Sequence, residues 1–117
     1  MRDMRKGILC LMLLGAGVLT GCSVPADYYE RVSGVVREAI VSEANGDAAG
    51  VQHAISRIDE VGAFRGDSSL YVAGRELLMR LAEGHDGVSV DNLAEWRRFE
   101  LAQRKFVKQY ELIEVDW

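Results

Sequence analysis

The amino-terminal segment constrains this chain more than any other stretch does. An apolar run over residues 8–19 follows a head that carries three cations, Arg2, Arg5 and Lys6. This run is shorter than the roughly 20 apolar residues that a membrane-spanning helix needs. A basic head, a short apolar run and small residues after it are the layout of an export signal. We therefore expect residues 1–21 to be cleaved and to take no part in the fold.

Four residues at the end of this segment indicate which kind of signal it is. Leu19-Thr20-Gly21-Cys22 resembles, at all four positions, the lipobox of bacterial lipoprotein precursors, which reads Leu, a small residue, Gly or Ala, and then Cys. The resemblance covers the leader only. It implies that the Cys22 thiol receives a diacylglycerol, that the leader is cut just before this residue, and that the freed amine is often acylated too. Because each buried methylene contributes about 0.8 kcal/mol, two or three acyl chains would make the anchor practically permanent.

The residue after the cysteine bears on location. In Gram-negative lipoproteins an aspartate there commonly holds the protein in the inner membrane, so Ser23 implies the periplasmic side of the outer membrane. In a host with a single membrane, the domain would sit on the outer face of that membrane. The expected organisation is a cleaved signal peptide over residues 1–21, a lipidated N-terminus with a short tether over 22–26, and a helical domain over 27–117.

The composition of the expected mature chain excludes one class of partner. Without the leader, eleven Lys and Arg residues remain against seventeen Asp and Glu residues, a net charge of -6. A nucleic-acid ligand requires a basic stripe without such a surplus of carboxylates, so we expect no nucleic-acid partner. Cys10 leaves with the leader and Cys22 carries the lipid. The domain of about 95 residues therefore has no disulfide, and helix packing must stabilise it.

Apolar residues recur at intervals of three and four in four stretches, which is typical of amphipathic helices and not of strands. We predict an all-α fold, a small bundle of about four helices whose neighbours are roughly antiparallel. A helical repeat array is a minor alternative, since the helices share no residue pattern. The predicted helices start and end at Asp27 and Asn45-Gly46, Asp47 and Gly62, Asp67 and Gly84, and Ser89 and about Tyr110.

The last helix carries most of the aromatic area of the domain. We expect its stripe to face the core, and truncation of Trp96, Phe99 or Phe106 to be the most destabilising change. Carboxylates crowd the end of this helix, where they oppose the helix dipole, so we expect fraying beyond about Tyr110. The stripe consists of Leu93, Trp96, Phe99, Ala102, Phe106, Val107, Tyr110 and Ile113.

The opposite side of the last helix combines cations with leucines. At about 100° per residue, Arg97, Arg98, Arg104, Lys105 and Lys108 gather there, with Leu101 and Leu112 among them. One interpretation is that acids of neighbouring helices, such as Glu38 or Glu76, lie alongside, and that the leucines cover an edge of the bundle.

The alternative interpretation is a partner-binding surface. Leu101 and Leu112 would supply apolar contact area, and Arg97, Arg104 and Lys108 would select an acidic or carboxylate-bearing partner. On this interpretation we expect the partner to be another envelope protein.

Motifs that carry catalytic chemistry are missing from the sequence. His53 and His85 are the two histidines, and neither has a partner at metal-ligand spacing. His53 lies off the apolar stripe and should face solvent, whereas His85 follows a helix-ending glycine. The chain has no nucleophile elbow, no phosphate-binding glycine loop and no paired cysteines. We therefore expect no catalytic residues, no metal, no cofactor and no small-molecule substrate.

Three functional classes remain open. The first is a non-catalytic interaction module that holds or escorts another envelope protein, as secretin pilotins do; this likeness is one of architecture only. The second is an immunity lipoprotein that neutralises a toxin, and the third is an envelope enzyme. Co-purification of one abundant envelope protein would favour the first class. Protection against a toxin would favour the second, and turnover by the purified domain the third.

The lipobox makes a prediction about processing. Cys22→Ser should release the protein from membranes or leave it misprocessed, because the acceptor of the diacylglycerol is lost. Fractionation followed by immunoblotting measures both effects, and Cys10→Ser is the control, since Cys10 leaves with the leader. A Cys22→Ser chain that still fractionates with membranes at full mature size would contradict the anchor.

Overall fold

Residues 24–112 are described by the computed structural model, and they form four α-helices with short links. Within these residues no strand occurs; an isolated bridge joins Phe64 and Asp67 in the second link. The predicted all-α bundle is thus confirmed, whereas the predicted signal peptide and Cys22 lie outside the described residues. The helices are α1 (Pro25–Ala44), α2 (Ala48–Val61), α3 (Ser69–Glu83) and α4 (Ala94–Gln109), and a 3₁₀ turn (Val90–Asn92) precedes α4.

Helix α1 begins two residues earlier than predicted. Val24 is its N-cap residue, without a side-chain cap, and Pro25 occupies the first turn. Proline suits this position because its fixed φ is helical and its missing N–H has no helical partner there. Asp27 therefore lies inside the first turn, where its carboxylate complements the helix dipole, and it is not the cap. The last two residues of the predicted tether belong to the helix.

Helix α2 has the boundaries that the sequence predicted. The carboxylate of Asp47 accepts a hydrogen bond from the backbone N–H of Gly50 at 2.9 Å, as expected of an N-cap. Gly62 ends the helix with φ of 65°, a conformation that glycine adopts without a steric penalty. Both ends of α2 thus follow from local sequence.

At the start of α3, Asp67 is the residue before the N-cap and not, as was predicted, the N-cap itself. The N-cap residue is Ser68, whose side chain makes no capping bond. Asp67 Oδ1 instead accepts from the backbone N–H of Ser69 at 3.1 Å and from its hydroxyl at 2.7 Å. The C-cap is Gly84, as predicted.

The start of α4 differs from the prediction. Ser89 begins the 3₁₀ turn, in which its carbonyl accepts from the N–H of Asn92 at 2.9 Å. Leu93 follows with an extended backbone and a side chain only 4% exposed, and α4 starts at Ala94. The extended backbone of Leu93 places its side chain in the core, and it separates the 3₁₀ turn from α4.

The four helices meet around Gly74 on α3. A Cβ atom at this position would lie 2.9 Å from Cδ1 of Ile58 on α2 and 3.3 Å from Cε1 of Phe99 on α4, and 3.5 Å from Cγ2 of Val36 on α1. All three neighbours are buried. The absence of a side chain on Gly74 therefore lets the other helices pack closely against α3.

An aromatic cluster joins α1, the α2–α3 link and α4 at one end of the bundle. The rings of Tyr28 and Phe64 are 4.9 Å apart, and those of Tyr28 and Phe106 are 5.6 Å apart. The Tyr28 hydroxyl donates to the carbonyl of Gly62 at 2.7 Å, and burial raises the pKa of this tyrosine to about 12. Tyr110 packs against Phe106 with a centroid separation of 4.5 Å. This cluster fixes the C-terminal part of α4 beside the start of α1.

Trp96, Phe99 and Phe106, which were predicted to be equally important for stability, differ in their burial. Phe99 and Phe106 are 1% and 2% exposed, whereas Trp96 is half-buried at the edge of the core. Phe99→Ala should therefore lower the free energy of unfolding by about 3–5 kcal/mol, and Trp96→Ala by clearly less. Urea denaturation measures both values, and Phe99→Leu is a milder substitution if the alanine variant does not fold. An equal loss for Trp96→Ala and Phe99→Ala would contradict this ranking.

Candidate partner-binding face of helix α4

One side of α4 points away from the core. Phe99 and Phe106 hold the opposite side in the bundle, so residues about 180° from them are exposed. We refer to this exposed side as the α4 outer face. It consists of Arg97, Leu101, Arg104, Lys105 and Lys108, all of which are exposed.

Leu101 is the apolar residue at the centre of this face. It is 49% exposed. Arg97 and Arg104 lie one turn before and after it, at spacings that place their side chains beside the leucine. Leu101, Arg97, Arg104 and Lys108 thus share one exposed side of α4, and their role in binding a partner stays a prediction.

Leu112, in contrast, does not continue this surface. Helix α4 ends at Gln109, and Glu111 takes a positive φ of 54°, so the chain leaves the helical path there. The backbone N–H of Leu112 then donates to the carbonyl of Val107 at 2.9 Å, and its half-buried side chain packs against the core. The expectation that Leu112 lies along the same helix face as Leu101 is therefore wrong, because it assumed that the helix extends beyond residue 109.

Neighbouring acids neutralise only part of the predicted basic set. Arg98 lies 3.6 Å from the Glu76 carboxylate and 3.8 Å from that of Glu95. Glu38, the other acid that the sequence analysis placed beside these cations, instead pairs with Arg57 on α2. Within residues 24–112, no carboxylate lies within ion-pair distance of the four cations Arg97, Arg104, Lys105 and Lys108.

The charge of the domain is unevenly distributed. Residues 24–93 carry six cations and twelve carboxylates, whereas α4 carries five cations and two carboxylates. Glu95 lies off the outer face, 4.0 Å from Arg80 of α3, whereas Glu100 and Arg104 both line a groove between α1 and α4. The α4 outer face is thus a basic surface on an otherwise acidic domain.

A second surface lies between α3 and α4, and sequence analysis missed it. A groove of about 460 Å³ contains the exposed side chains of Val72 and Met79. Their spacing of seven residues, off the buried stripe of α3, is the signal that could have revealed it. Three arginines and three glutamates complete the lining, so this groove has no charge excess: Arg75, Arg80, Arg98, Glu76, Glu83 and Glu95.

A polar cluster on α2 and α3 has a structural role. Both the Tyr71 hydroxyl, at 2.7 Å, and the Arg75 Nε, at 2.8 Å, donate to the Asp59 carboxylate. The hydrogen bond from Arg75 lowers the pKa of Asp59. Such an acid stays ionised and paired, so it is poorly suited to proton transfer near neutral pH.

The two histidines occupy different environments. His53 is exposed on α2, as predicted. His85 lies in the α3–α4 link, with Nδ1 2.5 Å from the Val88 carbonyl oxygen and Nε2 2.9 Å from the Glu43 carboxylate at the end of α1. The second contact is an ion pair whose geometry falls short of a hydrogen bond. The Val88 carbonyl and then Glu43 raise the pKa of His85, although partial burial opposes this.

Neither a metal-binding cluster nor a membrane span is found among the described residues. No group of three or more His, Cys, Asp or Glu side chains in residues 24–112 is arranged to hold a metal ion. None of the four helices is long and apolar enough to cross a bilayer.

Comparisons with known proteins assign no family. No protein-family model, no curated protein and no solved structure matches the chain significantly.

The His85 contacts predict a pH dependence of stability. Protonated His85 interacts with both partners, so its folded-state pKa lies above the ordinary value of 6.5. The stabilisation is complete below about pH 6.5, where the unfolded chain is protonated as well, and it is lost as the pH rises through the folded-state pKa. Urea unfolding at several pH values should show this loss in the parent, and His85→Gln should abolish it. The control is His53→Gln, which should retain the profile; a His85→Gln profile identical to that of the parent would contradict the prediction.

Proposed function

We propose that this chain is a lipid-anchored cell-envelope protein whose helical domain is a non-catalytic protein-interaction module. Its role would be to hold or escort another envelope protein, in the manner of a pilotin or an assembly factor. Two features support this proposal: the match of residues 19–22 to the lipobox and the basic, leucine-centred outer face of α4. The outer face is the observation that carries it.

Leu101 supplies the apolar part of the argument. A leucine gains about 1.5–3 kcal/mol on transfer from full exposure to full burial, and Leu101 is already half covered, so a partner would gain a part of that range. A single exposed leucine is common on protein surfaces and would carry no argument alone. Here it is surrounded by cations that the described residues leave without carboxylate partners, which makes the surface specific in charge as well as in shape.

The cations indicate the chemistry of the partner. Arg97, Arg104 and Lys108 would meet carboxylates around an apolar patch, since complementary charges increase the association rate and exclude wrong partners. Two copies of the chain could not pair through this face, because symmetric pairing would bring like charges together. The twelve carboxylates of residues 24–93 likewise disfavour a nucleic acid. The partner that fits best is an envelope protein with an acidic surface.

The test uses Leu101→Asp in the full chain, expressed in its host. Site-specific photo-crosslinking at Arg97, beside the leucine, should yield one defined adduct in the parent, and Leu101→Asp should remove it. Val41→Asp is the matched control, because Val41 is 56% exposed on α1 and its substitution should leave the adduct unchanged. Helix content and melting temperature should stay close to those of the parent in both variants.

Two results would overturn this assignment. Unfolding of the Leu101→Asp protein would place the leucine in the core. A folded Leu101→Asp protein that still forms the adduct would place the binding surface elsewhere.

A further inference from the structure

The start of α1 and the end of α4 lie at the same end of the bundle. The ring of Phe106 is 5.6 Å from that of Tyr28 and 6.1 Å from that of Tyr29. Further along, the Gln103 side-chain amide donates to the Ser33 hydroxyl at 3.0 Å. As residue numbers rise on α1 they fall on α4, so the two helices are antiparallel.

The lipid would be attached close to this end. Only two residues, Ser23 and Val24, separate Cys22 from Pro25, the first residue of α1. Even a fully extended chain of this length spans only about 10 Å. An acylated Cys22 would therefore hold the start of α1, and with it the end of α4, near the bilayer surface.

The cations of the α4 outer face are concentrated toward that same end. Arg104, Lys105 and Lys108 lie within the last six residues of the helix. Arg97 is eleven residues from Lys108, which corresponds to about 16 Å along the axis. Three of the four cations of the α4 outer face would thus be near the membrane.

The carboxylates at this end favour a tilted domain over an upright one. Asp67 is in the α2–α3 link beside Phe64, where Arg65 lies over the Phe64 ring, and Glu111 follows α4. An upright domain would press these carboxylates toward anionic headgroups. A tilt toward α4 would instead bring the C-terminal part of the outer face, with Arg104, Lys105 and Lys108, to the lipid.

We propose that Arg104, Lys105 and Lys108 bind the anionic phospholipid headgroups of the membrane that holds the anchor. This contact sets the tilt of the domain and leaves Arg97 and Leu101, farther from the bilayer, for the protein partner. The inference rests on the proposed acylation of Cys22, and it adds a headgroup contact of Arg104 and Lys108 to their proposed contact with the protein partner. Each cation contributes about 1 kcal/mol near an anionic surface, or about fivefold in the ratio of tilted to untilted protein.

The test uses the mature lipidated protein in vesicles of phosphatidylcholine, with or without phosphatidylglycerol. A fluorophore is attached to a cysteine introduced at one end of α4, either Gln109→Cys or Ala94→Cys, both at exposed positions. A quencher on the lipid headgroups reports the proximity of each label. The label at position 109 should be quenched more strongly than that at 94, and only vesicles with phosphatidylglycerol should give the full difference. Salt at about 1 M, which shortens the Debye length to about 3 Å, should reduce it.

A matched pair of substitutions locates the contact on the helix. Lys108→Gln should reduce the ratio of tilted to untilted protein about fivefold. Arg97→Gln, at the other end of the same exposed face, should leave this ratio nearly unchanged. Equal effects of the two substitutions, or equal quenching at positions 94 and 109, would overturn the proposed tilt.

The failure of this inference is distinguishable from the failure of the proposed function. Mass spectrometry of the mature protein shows whether Cys22 carries acyl chains; an unacylated cysteine would refute the anchor itself. Acylated protein whose quenching does not respond to phosphatidylglycerol would refute the headgroup contact alone.

Discussion

The close approach of α3 to its neighbours at Gly74 is the constraint on which the rest of the structure depends. Ile58, Phe99 and Val36 fill the space that a side chain on residue 74 would occupy, so three helices contact the same short segment of the fourth. Interiors of proteins are packed as densely as organic crystals, and this density has to stabilise residues 24–112, which contain no cysteine. The orientation of α4 follows from this contact, because Phe99 can pack against Gly74 only when its side of α4 faces the core.

The exposed chemistry of α4 is a consequence of that inward face. Once Phe99 and Phe106 are buried, Leu101 and four cations must point outward on the same helix. Ion pairs with α3 are made along the flank of α4, by Arg98 and Glu95, and they do not extend to the outer face. Packing in the core therefore determines which charged residues remain available to a partner or to a membrane.

Much of the fold could be predicted from local patterns, whereas the limits of the candidate site could not. The prediction of helix α2 was correct at both ends because Asp47 and Gly62 interact with backbone groups only a few residues away. Leu112 was misplaced because the chain leaves the helical path at Glu111 through a positive φ that a non-glycine residue seldom adopts. The pairing of Arg98 with Glu76, which separates it from the other cations, depends on how α3 packs against α4, and no periodicity within α4 contains that information.

The early start of α1 has a further consequence for an acylated chain. A helix that begins three residues after the lipid leaves almost no flexible linker, and its 20 residues rise about 30 Å. The domain could then search for a partner only within a shell about 40 Å deep above the bilayer. Confinement to that layer would make the encounter nearly two-dimensional, so the surface density of the protein would govern how often it meets a membrane-bound partner.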